Sequence, residues 1–62
     1  MNKIKVYRFI QNLTQDELSL LTGIERTKIS RIERGFTKPK PKDKAILAKA
    51  LKTKLGELFR EN

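Results

Sequence analysis

Residues Thr14–Gly35 read TQDELSLLTGIERTKISRIERG, and the order of caps, apolar positions and glycines in this stretch decides what kind of chain this is. Thr14 followed three residues later by Glu17 has the spacing of a capping box, in which the hydroxyl accepts from one orphan backbone N–H at a helix start and the carboxylate reaches back to another. Leu13 before the cap and Leu18 after it are spaced as a hydrophobic staple. Leu18 and Leu21, three apart, are expected to share one face of this helix. Gly23 suits the left-handed residue that ends it. A second helix is expected from about Arg26 to Arg34, after a tight turn, with Gly35 as its stop signal.

The second helix has two chemically different sides. At 3.6 residues per turn Ile29 and Ile32 fall on one of them, while Thr27, Ser30, Arg31 and Arg34 recur at helical spacing on the other. A solvated face does not need this mixture. Arginine offers a planar fork that matches the two acceptors on the major-groove edge of guanine. Threonine and serine bond to bases or phosphates, or touch a thymine methyl. Presented across a tight turn by a preceding helix, such a helix is built to carry side chains into the major groove of duplex DNA.

Composition agrees with that partner. The 62 residues carry fifteen Lys and Arg against seven Asp and Glu, a formal net charge of +8, which points to a polyanion and to nucleic acid ahead of a membrane surface. Residues 36–62 hold eight of the basic side chains and three of the acidic ones. A chain this short buries only about 60% of its unfolded surface. With no Cys for a staple and no Cys or His pair for zinc, helix packing must suffice, which favours an all-helical single domain over residues 1–62. No apolar run is long enough for a signal peptide or a membrane span, so the expected setting is cytoplasmic. The lack of His and Cys, of a glycine-rich phosphate loop and of a recognisable carboxylate pair argues against an enzyme. No metal or cofactor is expected.

The flanks support the central pair. Residues 1–12 are expected to form a first helix with Ile4, Tyr7 and either Ile10 or Gln11 inward, ended by Asn12 in a left-handed conformation. Val6 and Phe9 lie off that stripe, either as partly covered filler or as a contact patch. The segment FTKPKPKDK, residues 36–44, is stiffened by Pro39 and Pro41 and carries Lys38, Lys40, Lys42 and Lys44. Directly after the second helix of the pair, those ammonium groups are placed for sequence-blind contact with phosphates. A fourth helix is expected over residues 41–52, with Pro41 at its first position and Ala45, Leu47, Ala48 and Leu51 inward. A short fifth is expected around Leu55 to Arg60, with Leu55, Leu58 and Phe59 closing the core.

The pattern Arg8, Leu13-Thr14-Gln15, Leu18, Gly23, Ile29, Ile32-Glu33, Gly35, Pro39, Ala48 and Leu51 resembles the helix-turn-helix of the phage-repressor and Cro-like (XRE) family over nearly the whole chain. The resemblance implies a compact five-helix, lambda-repressor-like domain with the helix-turn-helix at helices 2 and 3. It implies a sequence-specific transcriptional regulator of double-stranded DNA, with repression as the family expectation. Position by position, it puts Arg26, Thr27 and Arg31 at base-contacting places, with Ser30 on the same side and Arg31 the foremost. Gln15, Lys28, Arg34, Lys38 and Lys40 fall at expected phosphate contacts, and Arg8 is implied to pair with Glu33. Palindromic operators bound by homodimers are common in the family, so a homodimer is expected, formed in solution or only on DNA, with Leu58 and Phe59 as candidate contacts.

This chain also departs from the family pattern. Asn12 and Lys52 stand where glycine is usual, and Lys40 and Lys54 stand where a small polar cap is usual, so the fourth helix is expected to start late or fray. Glu25 replaces a Ser or Thr cap and can either complement the helix start or repel phosphates. Two other readings stay open: an antitoxin-like interaction module using exposed Leu20, Val6 and Phe9, with DNA binding secondary, and a nonspecific nucleic-acid binder driven by lysines.

Overall fold

The computed structural model describes residues 2–59, and within them the chain is all helical. Five helices follow in order: α1 (Ile4–Ile10), α2 (Gln15–Thr22), α3 (Arg26–Glu33), α4 (Pro41–Ala50) and α5 (Leu55–Leu58). Helix α2 packs against α3 and α4, and α4 packs against α5. One apolar core joins them: Ile4, Leu18, Ile24, Ile29, Ile32, Leu47, Ala48, Leu51 and Leu58 are buried, with Tyr7, Leu13, Ala50 and Phe59 packed around them.

Helix α2 starts where the capping box requires. Glu17 N donates to Thr14 Oγ1 at 3.0 Å, and Thr14 N donates to Glu17 Oε1 at 2.9 Å. Its end is left-handed at Gly23, with φ +77°. The turn from Gly23 to Glu25 is closed by side chains. Ser19 Oγ donates to the Ile24 carbonyl at 2.6 Å, and Ile24 N donates to Thr22 Oγ1 at 3.1 Å. Ile24 itself is buried in this turn, a core contribution that periodicity does not register because the residue belongs to neither helix.

Several expectations need correction. Helix α1 begins only at Ile4, where Asn2 Oδ1 accepts from Ile4 N at 3.1 Å, and its inward stripe is Ile4, Tyr7 and Arg8, while Ile10 is exposed. Asn12 does take the left-handed conformation, with φ +61°. Leu21 is exposed because the side of α2 that carries it lies over a shallow groove bordered by Leu13, Ile46 and Ala50, and not against the core. Ala45 is exposed and Ile46 half-buried, a small rotation of α4 about its axis relative to the expected face. Helix α4 starts at Pro41 despite lacking a side-chain cap at Lys40, and Lys52 follows it in the left-handed region, φ +56°. Helix α5 is a single turn ending at Leu58, and Leu55 is exposed. Arg60 lies outside the described residues. Leu58 is fully buried and Phe59 half-buried, with Lys44 Nζ 5.5 Å from its ring centre, so Leu58 is spent inside the fold and is not a dimer contact.

Glu33, at the last turn of α3, ties three elements together. Arg8 Nε donates to Glu33 Oε2 at 2.9 Å, Arg8 Nη2 approaches Oε1 at 3.4 Å, and Gln15 Nε2 donates to Oε1 at 3.1 Å. Arg8 Nη1 donates to the Leu13 carbonyl at 3.0 Å. The Arg8 and Glu33 side chains are 8% and 6% exposed, so this is an ion pair withdrawn from water and completed by further hydrogen bonds, not a surface contact. At the same end of α3, Asn2 Nδ2 donates to the Ile32 carbonyl at 2.7 Å, and Lys3 N donates to the Leu58 carbonyl at 2.9 Å.

Glu33→Ala strands a buried guanidinium, so chemical denaturation should show a loss of about 3 kcal/mol or more, and the apolar double replacement Arg8→Met with Glu33→Leu should recover much of it. A single variant as stable as the parent would contradict the pair's role. The Glu17 carboxyl is held below its ordinary value of 4.5 by the hydrogen bond from the Thr14 backbone, with the Thr14 side chain adding to it. A lowered folded value means that the stabilisation is present above the unfolded value and disappears as pH falls through the folded one. Thermal midpoints should therefore fall more steeply below about pH 4.5 for the parent than for Glu17→Gln. At neutral pH, Thr14→Ala should cost roughly 1 kcal/mol.

Candidate nucleic-acid interface

The turn after Gly23 aims α3 so that one side faces inward through Ile29 and Ile32, both fully buried, while the opposite side stays open. On that open side Arg26, Thr27, Ser30 and Arg31 line a broad trough of about 680 Å³. Gln15 at the start of α2, Lys5 and Arg8 of α1, and Glu33 and Arg34 at the end of α3 complete its walls. Thr27 and Arg31 are exposed and Ser30 is half-buried. The inward apolar anchors thus fix the rotation of α3 about its axis, and that rotation alone determines which polar side chains it offers.

The side chains named from the sequence fall into distinct settings. Arg31 and Arg34 are exposed, and both border the trough. Arg26 lies 3.2 Å from Asp16 Oδ1 through its Nε, in an ion pair whose side chains are 59% and 78% exposed. Gln15 is half-buried and turned toward Glu33 by the 3.1 Å hydrogen bond, so its amide is oriented from within the protein. Lys28 points away from the trough and donates to Asp43 Oδ2 of α4 at 3.1 Å. That bond links α3 to the first turn of α4 and engages the ammonium before any phosphate does. Lys38 and Lys40 are exposed on the loop between α3 and α4. Glu25 takes the N-cap position of α3 but makes no side-chain cap hydrogen bond, and it remains exposed.

The sequence did not single out Lys5, which reaches the trough from α1, its Nζ 5.9 Å from the Phe9 ring centre. The i, i+4 spacing of Lys5 and Phe9 was the available signal. The partners Asp16 and Asp43 were likewise not identified, because each meets its cation across a turn or between helices, at separations no periodicity encodes.

The chemistry of the trough is that of a reader of polar edges. Guanidinium groups and hydroxyls project from a rigid helix, and the three consecutive wall elements α1, α2 and α3 supply one continuous polar concavity. Among the described residues no helix is long and apolar enough to cross a membrane, and no three His, Cys, Asp or Glu side chains gather where a metal ion would be held.

The sequence pattern of the helix-turn-helix family matches residues 4–58. An uncharacterised HTH-type transcriptional regulator of Methanocaldococcus jannaschii is 38% identical over 58 residues, which cover 94% of this chain and 88% of that protein. The control protein C.SmaI of Serratia marcescens is also 38% identical, over 56 residues covering 90% of this chain and 67% of that protein. With α2 and α3 forming the motif and the match extending from α1 to α5, this chain belongs to the phage-repressor and Cro-like (XRE) helix-turn-helix family of DNA-binding transcriptional regulators.

Proposed function

We propose that this chain is a sequence-specific transcriptional repressor that lays α3 in the major groove of an operator. The observation that carries this reading is the two-sidedness of α3: Ile29 and Ile32 are sealed in the core while Arg26, Thr27, Ser30 and Arg31 line the open trough beside the start of α2. Arg31, exposed in the middle of the helix, takes the principal base contact, and its fork suits guanine O6 and N7. Thr27 and Ser30 read a neighbouring base or thymine methyl, and Arg26 reads from the helix start.

Phosphates are held around this contact by groups that carry no sequence information. Gln15, positioned by Glu33, offers its amide at the start of α2, and Lys38, Lys40 and Arg34 extend the grip along the backbone. Lys28 joins them only by exchanging its bond to Asp43 for one to a phosphate, so its contribution is the smallest of the set. Two copies on two half-sites about one helical turn apart give a palindromic operator, and occupancy of such a site obstructs transcription. A target in chromosomal or phage DNA places the protein in the cytoplasm with the nucleoid.

Selection of bound duplexes from a random library, followed by titration of the selected duplex and its single-base variants, tests this reading. Arg31→Ala should cost about 1 to 3 kcal/mol on the selected site and relax the preference at one base pair of each half-site. Lys38→Ala should weaken selected and random duplexes alike and reduce the salt slope by about one. Equal losses on selected and random DNA for Arg31→Ala would overturn the assignment of α3.

A further inference from the structure

The ion pair between α2 and α3 is exposed to solvent, unlike the buried pair of Arg8 and Glu33. Helix α2 is already started by the reciprocal bonds of Thr14 and Glu17, so the Asp16 carboxylate is not needed as its cap. The side chain instead lies beside the first residue of the recognition helix, with its Oδ1 3.2 Å from Arg26 Nε. Both groups are mostly exposed, and neither anchors a core residue.

We infer that Asp16 is a specificity-determining positioning residue: it steers the Arg26 guanidinium from the side, so that Arg26 reads one base pair instead of straying to phosphates. This rests on the reading of α3 as the major-groove helix. A long arginine at the start of an exposed helix samples many rotamers, and fixing one of them on DNA costs conformational entropy. The carboxylate lies beside Nε, and the edge formed by the two terminal nitrogens is the one that matches guanine O6 and N7.

The carboxylate has a second consequence. In a chain of formal net charge +8 it places an exposed negative group beside Arg26, which lines the trough, and there it opposes phosphates. A contact that helps the right base and penalises backbone-only binding widens the gap between specific and random DNA, because specificity is a difference of affinities. Gln15, one residue earlier, donates to the buried Glu33 carboxylate, so the first two residues of α2 each meet a side chain of α3.

The test uses the duplex selected by the parent chain, its single-base variants and a random duplex, with Asp16→Asn, Arg26→Ala and the double variant. Helical circular dichroism should be unchanged by Asp16→Asn, since the Thr14–Glu17 box remains. Arg26→Ala should flatten the preference at one base pair per half-site. Asp16→Asn should reduce the preference at that same base pair by roughly two- to fivefold, the range an exposed ion pair sustains, while binding random duplex more tightly. On the Arg26→Ala background, Asp16→Asn should change no base preference further. If Asp16→Asn tightens binding to every duplex by one common factor, or alters a base pair that Arg26→Ala leaves alone, the positioning role is overturned. A parent chain that selects no sequence would sink the underlying repressor reading as well, whereas a selective parent whose preferences survive Asp16→Asn would sink the positioning role alone.

Discussion

A single carboxylate, that of Glu33, receives Arg8 from α1 and Gln15 from α2 and belongs to α3, so three helices are fixed around one pair of oxygen atoms. In a chain of 62 residues without disulfides, the apolar core is too small to fix helix orientation by bulk alone. The buried pair adds direction to a core that otherwise supplies only attraction. Removing one partner is costly because the other cannot return to water, so the network tolerates few arrangements of α1, α2 and α3. The same Glu33 that anchors the inside also holds the Gln15 amide, which joins the structural pair directly to the polar trough beside α3.

The interface inherits its rigidity from this arrangement. Ile29 and Ile32 set the rotation of α3, the Gly23–Glu25 turn sets its approach, and the groups offered to a groove follow without further adjustment. Preorganisation of this kind lowers the entropy that must be lost on binding. The exposed lysines of the α3–α4 loop act differently. They are point charges on a stiff, proline-bearing segment, suited to phosphates and blind to sequence. On the proposed reading, positioning and base reading are divided between a loop and a helix.

Much of this was legible in the sequence because it depends on local rules. The capping box at Thr14 and Glu17, the left-handed ends at Asn12, Gly23 and Gly35, Pro41 at the first position of α4, and the buried pair Ile29 and Ile32 all follow from spacing and backbone chemistry. The grouping of Thr27, Ser30, Arg31 and Arg34 on one side of α3 is also a matter of helical period, whereas Arg26 is implied only by the family resemblance. What failed was decided by tertiary contacts. Of the alternatives Ile10 and Gln11, it is Gln11 that is half-buried, while Arg8 goes inward to meet Glu33; Leu21 is left exposed beside a groove that α4 borders without filling. Ile24 entered the core from a turn. The ion pairs Lys28–Asp43 and Arg26–Asp16 join residues fifteen and ten apart, and they exist only once the helices are docked.

The central claim is that α3 is the element that meets DNA, with α2 and the lysine loop beside it. Backbone amide shifts of isotopically labelled protein, followed during titration with the selected duplex, test it most directly. The account predicts the largest changes over residues 26–34, with smaller ones at Gln15 and at Lys38 to Lys40, and little change on the far side of α4. Saturable binding whose shifts avoid residues 26–34 and concentrate elsewhere would contradict it.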